Sequence, residues 1–169
     1  DLREDPHLLR QGNSRLFDAE GLPTAPRLIV QDGILKGWTL DLATGRKLGM
    51  ASTASAMRGA GSPPAPGVTN LELTPGRQTR DELIRDMGRG LVVTSMLGAS
   101  VNPTTGDYSR GAAGFWVENG QITHAVNECT IAGNLRDMLM HLTAANDLPD
   151  WRAMRVPSLL VEGMTVAGG

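Results

Sequence analysis

The chain has 169 residues, 40% of them hydrophobic and 20% charged, with a formal net charge of −2. That is enough for one domain, or two lobes about one core, without a metal or disulfide staple. Lys and Arg are scattered rather than blocked, so the basic stripe of a nucleic-acid binder is missing and direct DNA or RNA contact is not expected.

Residues 1–25 read as an irregular lead-in, because Pro6, Gly12, Gly21 and Pro23 interrupt any periodicity. PRLIVQ, Asp32-Gly33 and ILKGWTL follow, and two β-rich runs joined by Asp-Gly predict a tight hairpin over 26–40. Residues 40–48 read as a short helix. Residues 49–67 close on GAGSPPAPG, too rich in Pro for a regular element. VTNLELT (68–74) alternates as a strand. Pro75-Gly76 then turns the chain into a helix, where Thr79 and Glu82 have capping-box spacing and Leu83, Ile84 and Met87 form an apolar stripe.

LVVTSML (91–97) predicts a strand. A second hairpin is expected over 111–131, with Asn119-Gly120 at its turn. Asn134 is a good N-cap for a further helix over about 134–142, carrying Leu135, Met138, Leu139 and Leu142 on one face. VPSLLVE and MTVAG read as two short closing strands. About eight strands in hairpins and two to three short helices predict an α+β fold with predominantly antiparallel sheet.

The aromatic share is only 4%, so aliphatic side chains and eight Met must fill the core. A single cysteine, Cys129, excludes an internal disulfide and fits a reducing compartment. No run of about 18 apolar residues is present, so no membrane span is expected. The charged start DLREDPHLLRQGN does not resemble a signal peptide, and the cytoplasm is the expected location. The first residue is Asp rather than Met, which suggests a piece of a longer chain.

Catalytic and metal-binding patterns are weak. His7, His124 and His141 show no i, i+4 pairing, and zinc needs three or four converging ligands. His124 and Cys129 have odd separation, which on a regular strand puts them on opposite faces. Ser109 lacks the first Gly of a nucleophile elbow, and Glu128 beside Cys129 would raise its thiol pKa. Neither a catalytic nor a metal set is assigned.

What stands out is the run 102–134, NPTTGDYSRGAAGFWVENGQITHAVNECTIAGN. Small residues let backbone approach a ligand or another chain closely. The candidate peptide or interface residues are Asn102, Thr105, Asp107, Ser109, Gly111, Phe115 and Trp116. Their polar side chains could bond a ligand backbone, or cap their own turns, which is the commoner role.

GDYSRGAAGFWVENGQITHAV, NECTIAGNLRDML and PSLLVEGMTVAG, together with LIVQDGILKGWTLDLATGRKLG and GAGSPPAPGVTNLELTPG, resemble the C-terminal domain of the TldD/PmbA family, nearest to its PmbA (TldE) branch. That resemblance assigns the domain to 26–169, with 1–25 as the tail of an upstream region. It implies a cytoplasmic peptidase in which a TldD-like subunit holds zinc through a His-Glu-x-x-x-His helix. The PmbA-type partner would be non-catalytic, forming a dimer interface and part of a cavity for flexible peptides. No cofactor is expected in this stretch itself. A TldD-like paralogue, or a second copy in a homodimer, is the implied partner. Two other readings stay open: an active metallopeptidase whose zinc motif lies upstream, and a non-enzymatic modulator of DNA gyrase.

Overall fold

The structure, a computed structural model, describes residues 1–168, the side chains of residues 99 and 100 excepted. Along the chain run β1 (Leu2–Glu4), β2 (Arg27–Gln31), β3 (Ile34–Leu35), α1 (Leu42–Leu48), β4 (Ala56–Met57), β5 (Ala65–Pro66) and β6 (Leu71–Leu73). Then come α2 (Arg80–Met87), β7 (Gly90–Val101), β8 (Asp107–Glu118), β9 (Gln121–Asn134), α3 (Leu135–Met140) and β10 (Leu142–Ala144). β11 (Met154–Arg155), β12 (Leu159–Val161) and β13 (Thr165–Ala167) close it. This is the expected α+β arrangement with mostly antiparallel sheet. Strands exceed the expected eight because several are only two or three residues long, too short to carry a period.

The chain divides into two compact units, one made of 1–74 with 148–157, the other of 75–147 with 158–169. The first holds a five-stranded sheet in the order β11-β6-β1-β2-β3, antiparallel except for the β11–β6 pairing. β1 is its middle strand, inside the stretch expected to be irregular. Its partners are residues 27–30 and 71–73, so tertiary pairing supplies what local pattern lacks. Between β2 and β3, Asp32 (φ 51°) and Gly33 (φ 78°) make the expected turn.

Buried carboxylates organise this unit. Glu4, 4% exposed, accepts from Arg27 Nε at 2.7 Å and from Thr69 N and Oγ1 at 2.7 and 2.9 Å. Arg27 also donates to Trp38 O and Thr39 Oγ1. One ion pair thus holds β1, β2 and the irregular segment after the hairpin. Asp18 accepts from the amides of Glu20, Leu22 and Ala56. That last bond sets β4, which pairs with β5 inside the Pro-rich stretch expected to lack regular structure. Asp41 caps α1 by accepting from Thr44 N at 2.6 Å.

The second unit is a four-stranded sheet in the order β13-β9-β8-β7 with a β10–β12 ribbon, α2 and α3. β8 begins at Asp107 rather than near Gly111, so the hairpin is longer than the expected 111–131. Asn119 (φ 51°) and Gly120 (φ 72°) form the turn the dipeptide predicts. Thr79 and Glu82 form the capping box on α2. α3 spans six residues only; Leu139, assigned to its apolar face, is 71% exposed.

β9 carries an extra residue relative to β8: Ala112 pairs with Cys129, but Gly114 with Val126. Glu128 sits in that bulge with φ 55°. His124 pairs with Trp116 and Cys129 with Ala112, and these partners are four residues apart on β8. The bulge therefore puts His124 and Cys129 on one face, against the simple alternation expected. Ala112, Cys129 and Ile131 form the buried core there, with Leu91, Tyr108, Val126, Met164 and Val166 packed around them.

Replacing Glu4 by Ala would leave Arg27 and the Thr69 amide without their buried acceptor. The expected cost is about 3 kcal/mol, read as a lower urea midpoint with unchanged slope, and Glu4→Gln should cost less.

Candidate functional site

The candidates in the 102–109 stretch serve their own turn. Asn102 Oδ1 accepts from Thr104 N at 2.9 Å and Thr105 N at 3.3 Å. Thr105 Oγ1 donates to Asp107 Oδ2 at 2.7 Å. Asn134 Nδ2 donates to Thr105 O at 2.9 Å, and Leu135 N donates to Gly106 O at 2.7 Å. These bonds tie the β7–β8 turn to the start of α3. Of the two roles weighed for these side chains, turn-capping occupies them here.

Ser109 and Gly111 lie in β8, whose backbone pairs with β7 on one side and β9 on the other. Gly111 faces Leu97 and Thr130 across the ladders, so no open edge exists there. Gly114 shows why this strand is so rich in small residues: a Cβ would come within 1.9 Å of Val92 O, where β7 bulges at Thr94. Phe115 is 40% exposed, on the face opposite the Ala112–Cys129 core. Trp116 Nε1 donates to Glu118 Oε1 at 3.2 Å, and the Arg89 guanidinium lies 5.6 Å from its ring centroid.

A feature absent from the expectations dominates this unit: an apolar groove of about 650 Å³. α2 contributes Leu83, Ile84 and Met87, and the sheet contributes Leu91, Val93, Met96, Tyr108, Ile131 and Val166. Met138, Met164 and the β12 residues 159–161 line it further. Four methionines thus share one wall set, and Tyr108 Oη donates to Met96 Sδ at 3.6 Å. Thioether chains are flexible and polarisable, a composition that suits varied apolar side chains. A volume of this size falls within the range of small-ligand sites. The groove runs beside β7, whose outer side has no strand partner in its sheet among the described residues. Such an edge is a template for an added strand. Eight methionines in a chain poor in aromatics, and the Leu83/Ile84/Met87 stripe, were its only traces in sequence.

At the groove, Ser158 is held by Asp147, which accepts from Ser158 N at 2.7 Å and Oγ at 2.6 Å. The Ser158 side-chain bond is the main cause that holds the Asp147 carboxyl below its ordinary value of 3.8, with Arg80 adding a smaller attraction.

Zinc does not fit the residues here. Among the described residues no three His, Cys, Asp or Glu side chains converge. Cys129 is 1% exposed, and its thiol donates to Ala112 O at 3.0 Å.

Two outcomes follow from this geometry. Gly114→Ala should destabilise the full chain by about 2 kcal/mol, seen as a lower thermal midpoint, because the clash is with backbone. Asp147 has a depressed folded pKa, so its contribution is complete above 3.8 and is lost as pH falls through the lower folded value. Between 3.8 and that lower value, stability should therefore fall less steeply with pH in Asp147→Asn than in the parent.

A model of the PmbA/TldA metallopeptidase C-terminal domain matches residues 1–168. The chain is 43% identical over 168 residues to Metalloprotease PmbA of Escherichia coli O157:H7, covering 99% of this chain and 35% of that protein. It is 44% identical over 171 residues to the Metalloprotease PmbA homolog of Haemophilus influenzae, covering 99% and 36%. To the Metalloprotease TldD homolog of that organism it is 25% identical over 146 residues, covering 85% and 30%. It thus spans about a third of the length of the curated relatives it matches. Among solved structures, TldE from Thermococcus kodakarensis superposes with a TM-score of 0.85 at 25% identity, over 99% of this chain and 39% of that one. A Bacteroides thetaiotaomicron protein, described by its relation to DNA gyrase modulation, superposes with a TM-score of 0.86 at 33% identity, over 99% and 36%. Matched along nearly its whole length, the chain belongs to the PmbA/TldA metallopeptidase C-terminal domain family.

Proposed function

We propose that this chain is the C-terminal domain of a PmbA-type subunit that pairs with a TldD-like paralogue, or with a second copy, in a zinc-dependent peptidase. Its own part is non-catalytic: it supplies an interface and one wall of the space that receives a flexible peptide. The observation that carries this reading is the identity gradient, 43% to Metalloprotease PmbA against 25% to the TldD homologs. The cytoplasm is the location that goes with it.

Peptide capture is assigned to the outer edge of β7 and the groove beside it. Backbone hydrogen bonds from a free strand edge hold an extended peptide with little regard to its sequence. The apolar, Met-rich wall then accommodates its side chains. Phe115 and Trp116 remain interface candidates, since Phe115 lies on the sheet face that its own unit leaves exposed.

The test uses the full-length protein with its TldD-like paralogue and zinc. Peptide cleavage is expected only from the pair, and Met96→Glu in this chain should raise KM about tenfold, which is about 1.4 kcal/mol of lost binding, with kcat nearly unchanged. Zinc-dependent cleavage by the full-length protein alone would sink the reading and favour a metallopeptidase in its own right. Recovery of gyrase with no TldD-like partner would favour the modulator instead.

A further inference from the structure

The first unit contains a small polar cavity of about 40 Å³ lined by Arg3, Asp5, Leu8, Asn70, Glu72 and Arg155. Asn70 is only 2% exposed, and its amide orientation is fixed by its neighbours. Its Nδ2 donates to Asp5 O at 2.9 Å and to Ser14 Oγ at 2.8 Å. Ser14 has already given its own proton to Leu8 O at 2.6 Å, so Nδ2 must be the donor there. Oδ1 is left as a buried acceptor that no protein donor reaches among the described residues. Arg155 Nε, from a second residue lining the same cavity, is a buried donor in the same position.

We infer that this cavity is a binding site for one ordered water molecule, joining Asn70 to Arg155. Three arguments select water. The volume exceeds the roughly 10–15 Å³ that one water requires, yet it is far too small for an organic ligand. The lining holds two guanidinium groups and two carboxylates, a net charge of zero, so neither a bare cation nor an anion gains from entering. Finally, the orphaned pair comprises one acceptor and one donor, and water can serve both at once while the carboxylates of Asp5 or Glu72 take its second proton.

The position gives the site a task. β11 is two residues long and pairs with β6 in parallel, and Arg155 also forms an ion pair with Glu72 of that strand. Leu71 N donates to Ala153 O at 2.9 Å alongside. A water held by both Asn70 and Arg155 adds a further joint across this short pairing and holds 148–157 against the sheet.

A crystal structure of the full-length protein, at a resolution that shows first-shell waters, tests this. The expected result is one well-ordered peak within hydrogen-bond distance of both Asn70 Oδ1 and Arg155 Nε. Empty density would overturn it, as would a guanidinium found bonded directly to Asn70 Oδ1. Asn70→Leu gives a second reading: the peak should vanish, and exchange of the Leu71 amide with solvent should quicken at least tenfold. An unchanged exchange rate in a folded Asn70→Leu variant would count against the joint.

Discussion

The second unit depends on β8 being paired along both sides. β7 and β9 hydrogen-bond to it, and α2, α3 and β12 share a groove with the sheet it centres. Two long neighbours, each bulged, impose the requirement for small residues: where β7 bulges at Thr94, only a glycine at position 114 lets the strands close. The Gly- and Ala-rich run is therefore a packing solution first. It places Ala112 and Cys129 in the core and leaves Gly111, Ala113 and Phe115 to the other face.

The first unit solves a different problem. Its strands are short and its connections long, so apolar burial alone cannot fix the loops. Buried carboxylates do that instead, each saturated by backbone amides or by Arg27. An ionised acid inside a protein is costly unless its oxygens are satisfied. Glu4 and Asp18 meet that condition, with three donors each. They are structural for the same reason that they are poor catalytic candidates, since every oxygen is already engaged.

How far these features could be read in sequence follows from how local they are. Asp32-Gly33 and Asn119-Gly120 were legible because few residues tolerate positive φ at consecutive positions. Thr79 and Glu82 were legible because the capping box spans four residues. β1 was not, because three residues show no period and its partners lie more than twenty positions away. The bulge at Glu128 was equally hidden, and it reversed the face expected for Cys129 relative to His124. The groove was least legible of all. Its wall is drawn from residues 80 to 166, and only the spatial convergence of four methionines and the α2 stripe defines it.

That difference changes where function is sought. The run 102–134 looked like a site because it concentrated unusual residues, but the polar side chains of its first turn bond within that turn and to Asn134, and Gly111 and Gly114 sit in a fully paired strand. What it builds is the sheet whose edge and covered face border the groove. No metal ligands converge among the described residues, so in the proposed function the part left to this domain is to hold an extended chain at a constant distance from chemistry performed elsewhere. On that proposal, pairing along β8 fixes the edge and the methionine wall would keep the grip tolerant of side chain. Tight selection would work against that task, because a branched, closely fitted pocket would reject most of the residues passing it. Small residues in the strand and flexible ones in the wall are thus complementary parts of one design, the first giving shape and the second giving tolerance.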